Sequence, residues 1–394
     1  MQRRVIIYRD LLLPYSETFI PAQVESLTAY TGFYVGTSRT ANAAALIPVD
    51  RSLTLSDRVA SPAVWKMVLK LGGVVQSQWL RSLQELSAEL IHAHFGIDGI
   101  WGLFLARKLG LPLVVTFHGN DATGMDRYSS GHVRVNPLDF LFQRGQFFRD
   151  LYVSRRGQLF AEATCVIAVS EFIREQLIQK GCPADKVTVH YIGVDINKFT
   201  PNPAIAREPI VLFVGRLVEK KGCEYLIRAI AQVQTILPDV ELVVIGDGPL
   251  RSTLEQQAVS SLKHHRFLGA QSPEAVQGWM NRAAVFSVPS ITARTGDAEG
   301  FGMVFAEAQA MELPVVSFAT GGVPEAVAHG ETGFLAPEGD WETLAKYLLT
   351  LLQEPQVRQN FAAAGRQRMI QHFNLKHNTA KLEAIYDSVL AKSG

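Results

Sequence analysis

Cysteine is scarce: three residues in 394, with no CxxC spacing and an odd total. That excludes a disulfide framework and a structural zinc site, and Cys165, Cys182 and Cys223 are expected as reduced, buried thiols in a reducing compartment. No run of about 18 apolar residues occurs, so no hydrophobic helix is expected to span a bilayer. The apolar start "RVIIY" ends at Arg9-Asp10 without a small-residue cleavage site. It reads as a first strand, not a signal peptide, and a cytoplasmic chain is expected. A surplus of one charge is missing too: 38 Lys+Arg against 37 Asp+Glu leave a net +1, which argues against a nucleic-acid partner. The sequence has no GxxxxGK[ST] loop and no GxGxxG dinucleotide fingerprint, and neither repeats nor low-complexity tracts stand out.

What is present is an ordinary globular composition, 47% apolar and 19% charged, in a chain too long for one hydrophobic core. Short β-rich runs alternate with helix-patterned segments. In the first half they are 4–8, 33–37, 90–94, 113–117, 165–170 and 187–191, and in the second 210–215, 241–246, 284–289 and 314–318. Runs apolar throughout suit parallel strands covered on both faces, and the alternation implies an α/β architecture. The three prolines of "FTPNPAIAREP" predict a linker at 200–209 between domains 1–199 and 210–370. A last helix, 371–394, with Leu382, Ile385, Tyr386 and Leu390 on one side, is expected to cross back and cover the first domain.

Ligands of open parallel sheets bind beyond the carboxyl ends of the strands, so the residues there carry the information. After "IVLFVG", Arg216 and Lys221 place two cations near a helix N-terminus; they suit a pyrophosphate, or form a solvated basic turn. "GDGP" supplies glycines for a tight turn and is weak on its own. In "DAEGFGMVFAEA", Glu299 ends a polar loop, and a helix is predicted from about Phe301 to Leu313, before Pro314. At about 100° per residue, Glu307 falls on the side of Gly300, Met303, Val304 and Met311. A carboxylate on an apolar face needs a partner, because burying it alone costs several kcal/mol. It is either a structural acid bonded to backbone N–H groups or the acceptor for a diol such as a ribose. In the second reading Glu299 takes a sugar hydroxyl, and the amides of Gly300, Phe301, Gly302 and Met303 take a phosphate. In the first half His118 of "VTFHGND" follows a strand, whereas His92 and His94 of "LIHAHFG" read as packed or hydrogen-bonded within the sheet.

In order and spacing, "GRLVEKKG", "GDGP", "FLGAQSPEAV", "VPSITARTGDAEGFGMVFAEAQAMELPVV" and "TGGVPEAVAHGETGFL" resemble the retaining glycosyltransferases of family 4. "LPYSETFIPAQV", "IHAHFG", "TFHGND", "VSEFIREQL" and "IGVDINKF" extend the likeness over nearly the whole chain. The resemblance implies an α/β fold of GT-B type, two Rossmann-like doubly wound parallel-sheet domains facing a central cleft. The first would bind the acceptor and the second a nucleotide-sugar donor, with the segment near residue 200 as hinge. By resemblance Glu299 contacts donor-sugar hydroxyls, Glu307 the ribose, Arg216 and Lys221 the pyrophosphate, and His118 the sugar near its 6-position. A "SETF" turn stands where many relatives carry Gly-Gly, which favours an exopolysaccharide or cell-envelope subgroup. There is no Asp-x-Asp, so no metal and no cofactor are expected, and retention would proceed by front-face attack.

The expected partners are a UDP- or GDP-hexose and a glycan or lipid-linked acceptor. Two stretches that interleave aromatic and basic residues, 65–83 and 127–160, would either rest on an anionic membrane or pack against the first domain. Competing readings keep the fold and change the role: a sugar-nucleotide epimerase, a phosphorylase, or a non-catalytic nucleotide-sugar-binding protein. A glycosidase using the two glutamates as acid and base fits less well, because they flank a predicted anion site.

Overall fold

The structure is a computed structural model that describes residues 2–12, 17–41, 46–124 and 144–393. The chain divides into two compact units, Met1–Gly193 with Leu375–Gly394, and Val194–Asn374.

The first unit is built on a seven-stranded sheet. Its strands lie in the order Ser52–Thr54, Tyr30–Gly36, Arg3–Tyr8, Leu90–His94, Leu113–Phe117, Cys165–Ala168, Val187–Val189. Every pairing in it is parallel. Leu90–His94 and Leu113–Phe117 are buried at every position, as strands covered on both faces must be. The helix Leu375–Ser393 belongs to this unit: Leu382, Tyr386 and Val389 join Val5, Ile7, Tyr30 and Tyr34 in one core cluster. Ile385 and Leu390 pack on the same cluster. Glu383 fastens the helix by accepting the N–H groups of Thr28 and Ala29 at 2.6 and 2.7 Å.

The second unit carries a six-stranded sheet ordered His265–Phe267, Glu241–Ile245, Glu208–Val214, Ala283–Ser287, Val315–Phe318, Gly333–Ala336, again parallel throughout. Numbered along the chain, both sheets run 3-2-1-4-5-6, the doubly wound Rossmann order, and the first adds a seventh strand. In this order the connections leave the first and fourth strands toward opposite faces. A crevice opens beyond their carboxyl ends.

The linker expected at 200–209 is corrected by the structure. Residues from Val194 onward belong to the second unit, and Glu208 already lies in its first strand. Polar contacts within that unit hold the segment. The Asn202 N–H donates to the Asn281 side chain at 2.8 Å. The Arg207 guanidinium donates to the carbonyls of Met280, Ala283, Met311 and Glu312, at the ends of two helices. Prolines marked the irregular backbone correctly but say nothing of these long-range bonds. The chain passes between units at 193–194 and again at 374–375, so the boundaries expected at 199, 210 and 370 shift accordingly.

Candidate functional site

In the second unit the crevice lies beyond the strands Glu208–Val214 and Ala283–Ser287, which are neighbours in the sheet. From the first strand the chain continues through Gly215 and Arg216 to a short 3-10 turn, Glu219–Lys221, and the helix Cys223–Ile236. Gly222 joins turn to helix at φ 61°, and a Cβ there would lie 1.9 Å from the Pro289 carbonyl oxygen. Only glycine lets the basic turn come that close to the backbone following the neighbouring strand.

Lys221 and Glu299 meet at this point: Lys221 Nζ donates to Glu299 Oε2. Ser290 Oγ lies 3.5 Å from the same oxygen. Lys220 Nζ sits beside them, paired with Asp297 Oδ1 at 3.0 Å. Glu299 is buried, which alone would raise its pKa. The charges of Lys221 and Lys220, then the bonds from Lys221 and Ser290, outweigh burial and hold the carboxyl at about 2. It is a permanent anion at neutral pH, able to accept hydrogen bonds and unable to donate a proton. Lys221, expected as a free phosphate cation, is therefore already engaged. Arg216 is the free one, exposed and without a side-chain partner among the described residues.

The helix that follows is shorter than its sequence pattern predicts, Met303–Ala310 rather than 301 to 313. Gly302 caps it at φ 83°, a left-handed conformation that keeps Phe301 out of the helix and turns its ring toward Phe373, 5.1 Å between centroids. At the other end Glu312 takes φ 53° and stops the helix before Pro314. Of the amides expected to meet a phosphate, those of Gly300, Gly302 and Met303 have no partner among the described residues, and neither has that of Val304. The Glu299 carbonyl accepts the Gly322 N–H at 2.8 Å, which anchors the loop on the "TGG" turn.

Glu307 lies on the helix Met303–Ala310, partly buried, and its carboxylate makes no hydrogen bond among the described residues. Desolvation pushes its pKa up to about 7, against a lowering by Lys198. The reading in which backbone N–H groups satisfy it does not hold.

His118 belongs to the first unit. It follows the strand Leu113–Phe117, and Asp121 accepts the N–H groups of His118, Gly119 and Gly96. The ring lies between Phe19 and Phe95, with centroids 5.0 and 4.5 Å away, and His118 Nε2 meets His94 Nδ1 at 3.1 Å. Burial, then His92 and Arg9, lower its pKa to about 3, so the ring is neutral. His92 is held between Tyr386 and Thr116. Nothing in the local pattern singles out Ser290, Lys220 or Asp121 as participants: each is a common polar residue, Lys220 reaches Asp297 across 77 residues, and Asp121 ties its neighbours His118 and Gly119 to Gly96, 25 residues back.

The stretch 127–160 is partly visible. Arg127, Arg134, Phe140 and Phe142 lie outside the described residues, as does Ser16 of the "SETF" turn, and the side chain of Arg144 is not described. Part of what is described packs inward: Tyr152 donates to the Asp121 carbonyl, and Arg155 donates to the carbonyls of Lys70 and Leu71. Among the described residues no group of three or more His, Cys, Asp and Glu side chains could hold a metal ion, and no helix is long and apolar enough to cross a membrane.

Two all-parallel Rossmann-type sheets with anion-seeking groups at the crevice of the second define the GT-B class of fold. The sequence agrees with that: residues 195–368 match the family described as Glycosyl transferases group 1, and residues 48–198 match Glycosyltransferase Family 4. The chain belongs to this glycosyltransferase family. It is 35% identical over 200 residues to the amylovoran biosynthesis glycosyltransferase AmsK of Erwinia amylovora, a match covering 50% of this chain and 49% of AmsK. It is 30% identical over 275 residues to the putative colanic acid biosynthesis glycosyltransferase WcaL of Escherichia coli, covering 68% of this chain and 62% of WcaL. The matched stretches thus span about half of the one relative and under two thirds of the other. In structure it resembles Anabaena HepE in complex with UDP and glucose, with TM-score 0.75 and 21% identity over 98% of this chain and 100% of HepE.

Proposed function

We propose that the protein is a retaining, metal-independent glycosyltransferase. It moves a hexose from a UDP- or GDP-sugar to a glycan or lipid-linked acceptor in the biosynthesis of exopolysaccharide or another cell-envelope polysaccharide. One observation carries the reading: the Lys221–Glu299 pair in a crevice that also offers the free Arg216 and the open amides of Gly300, Gly302 and Met303. Anion-seeking and hydroxyl-seeking groups side by side fit a sugar joined to a diphosphate. AmsK and WcaL are named for exopolysaccharides, and HepE was solved with UDP and glucose, which supports this choice of product and donor.

In this reading Arg216, Lys221 and the amides take the diphosphate and stabilise the negative charge that grows as it leaves, an electrostatic contribution often larger than any other. Glu299 accepts hydroxyls of the sugar, Glu307 those of the ribose, and His118 meets the sugar from the first unit. The new bond forms from the acceptor oxygen to the anomeric carbon on the face from which the phosphate departs. The acceptor's proton passes to a phosphate oxygen, so no side chain has to serve as base.

The opposite shifts of Glu299 and Glu307 are also those of an acid–base pair. Lys221 and the neighbouring amides favour an anionic donor over a glycosidic bond, and whether the sugar is taken from a nucleotide-sugar or from a glycoside separates the two. The test is transfer of labelled sugar in excess chelator. Wild-type protein should transfer with retention, and folded Glu299→Ala should lose about 10³-fold. Near-wild-type turnover in Glu299→Ala overturns the role of Glu299, and loss of transfer on chelation overturns metal independence.

A lipid-linked acceptor would lie at a membrane surface. Val64, Leu71 and Val74, which are 60, 38 and 50% exposed, lie on and just after the helix Pro62–Gly72, Val64 and Leu71 on one side of it, and they suit such a surface. Cosedimentation with anionic vesicles should weaken severalfold in Val64→Ser with Val74→Ser. Equal binding by that variant removes this surface from the reading.

A further inference from the structure

Within the first unit a chain of imidazoles leads from the sheet to His118. His94 is fully enclosed, with only 1% of its surface exposed, and stacks on His92 with ring centroids 4.4 Å apart. Its Nδ1 meets His118 Nε2 at 3.1 Å, while its Nε2 is buried with no partner among the described residues. The other ring nitrogen of His118, Nδ1, has no partner among the described residues, and the residue is partly exposed.

Burial before any other cause lowers the pKa of both rings, so each is neutral and carries a single N–H. The contact between them then has two forms. If His118 Nε2–H donated, His94 would accept at Nδ1 and its only proton would sit on Nε2, a buried donor with nothing to receive it. If His94 Nδ1–H donates, its Nε2 keeps only a lone pair, and an unmet acceptor is the more tolerated defect in a protein interior. The second form leaves His118 Nε2 as the acceptor. The proton of His118 then has to be on Nδ1.

We propose that His94 is a positioning residue that fixes the proton of His118 on Nδ1, so that His118 offers a ligand an N–H donor and no base. This rests on the reading of His118 as the residue that meets the sugar, and it makes that contact a hydrogen bond to a sugar oxygen. A donor in that place orients the hexose and cannot activate the acceptor hydroxyl, in keeping with proton transfer to the departing phosphate. His92, locked between Tyr386 and Thr116, supports the stack from behind.

The test is nitrogen NMR of the full chain labelled in histidine, with His118 assigned by the signals lost in His118→Gln. The expected spectrum of wild-type protein without ligand shows His118 protonated on Nδ1; protonation on Nε2 overturns the proposal. In His94→Phe the proton should move to Nε2, the form favoured by a free imidazole. In His94→Asn, whose amide N–H can still donate, it should stay on Nδ1. An unchanged tautomer in His94→Phe overturns the positioning role. The wild-type spectrum decides the matter if that variant does not fold. Because the readout needs no substrate, failure of the glycosyltransferase reading would show instead as an absence of donor-induced shifts at a correctly protonated His118.

Discussion

The two units wind their sheets in the same order and treat the resulting crevices in opposite ways. In the first, the residue after the leading strand, Arg9, is clasped by Glu17 Oε1 and Oε2 at 2.7 and 2.8 Å and by Asp98, and its guanidinium lies 4.4 Å from the centre of the Phe95 ring. Asp10 adds its N–H to Asp98 and accepts from Lys70. The protein's own charges fill the position. In the second unit the corresponding cation, Arg216, is exposed and unpaired, and the helix after the fourth strand starts with open amides. A Rossmann crevice is therefore an opportunity that a chain can close or keep. The free anion-binding capacity lies where side chains leave it unmet.

Exchanging the two cations for alanine should separate these roles most sharply. Arg9→Ala strands Glu17 and Asp98 as enclosed carboxylates without their partner, and breaking such a pair costs about 3–5 kcal/mol. Urea unfolding of the full chain should show that loss. Arg216→Ala should leave stability within about 0.5 kcal/mol while transfer falls about 10²-fold. If the two variants behave alike in both measurements, the contrast between the crevices is wrong.

A smaller effect should come from Glu307. As a carboxylate it accepts ribose hydroxyls, so donor affinity measured by calorimetry should weaken severalfold as pH falls from 8 to 6, through its pKa of about 7. Glu307→Gln should flatten that dependence. The sign for stability is the reverse. A carboxyl whose pKa is raised on folding contributes fully below its unfolded value and loses that contribution as pH rises through about 7. In Glu307→Gln that decline should disappear.

Much of this was legible because the apolar runs of a buried parallel sheet are long-lived signals: Leu90–His94 and Leu113–Phe117 match their predicted spans residue for residue. Ser52–Thr54, His265–Phe267 and Gly333–Ala336 do not stand out, since none contains a Val or Ile, whereas the equally short Val187–Val189, Cys165–Ala168 and Val315–Phe318 do. The early end of the helix Met303–Ala310 was hidden for another reason: a left-handed Glu312 is a tertiary choice that its side chain does not announce. Glu299 and Lys221 could each be picked out, because each follows a strand. Their direct pairing could not, as 78 residues separate them. The clasp of Arg9 by Asp98 is likewise a contact across 89 residues, between side chains that look ordinary locally.

The return of the chain to its first unit has a consequence for how the protein is made. The helix Leu375–Ser393 supplies Leu382 and Tyr386 to a core whose other members are encoded from residue 5 onward, and Tyr386 completes the bonding of His92. During synthesis the last strand of the first sheet ends at Val189, well before its cover begins at Leu375, while the second unit can close as soon as Asn374 is out. The unit begun first is therefore the last to be finished. The nascent chain must shelter an open apolar face for most of its translation.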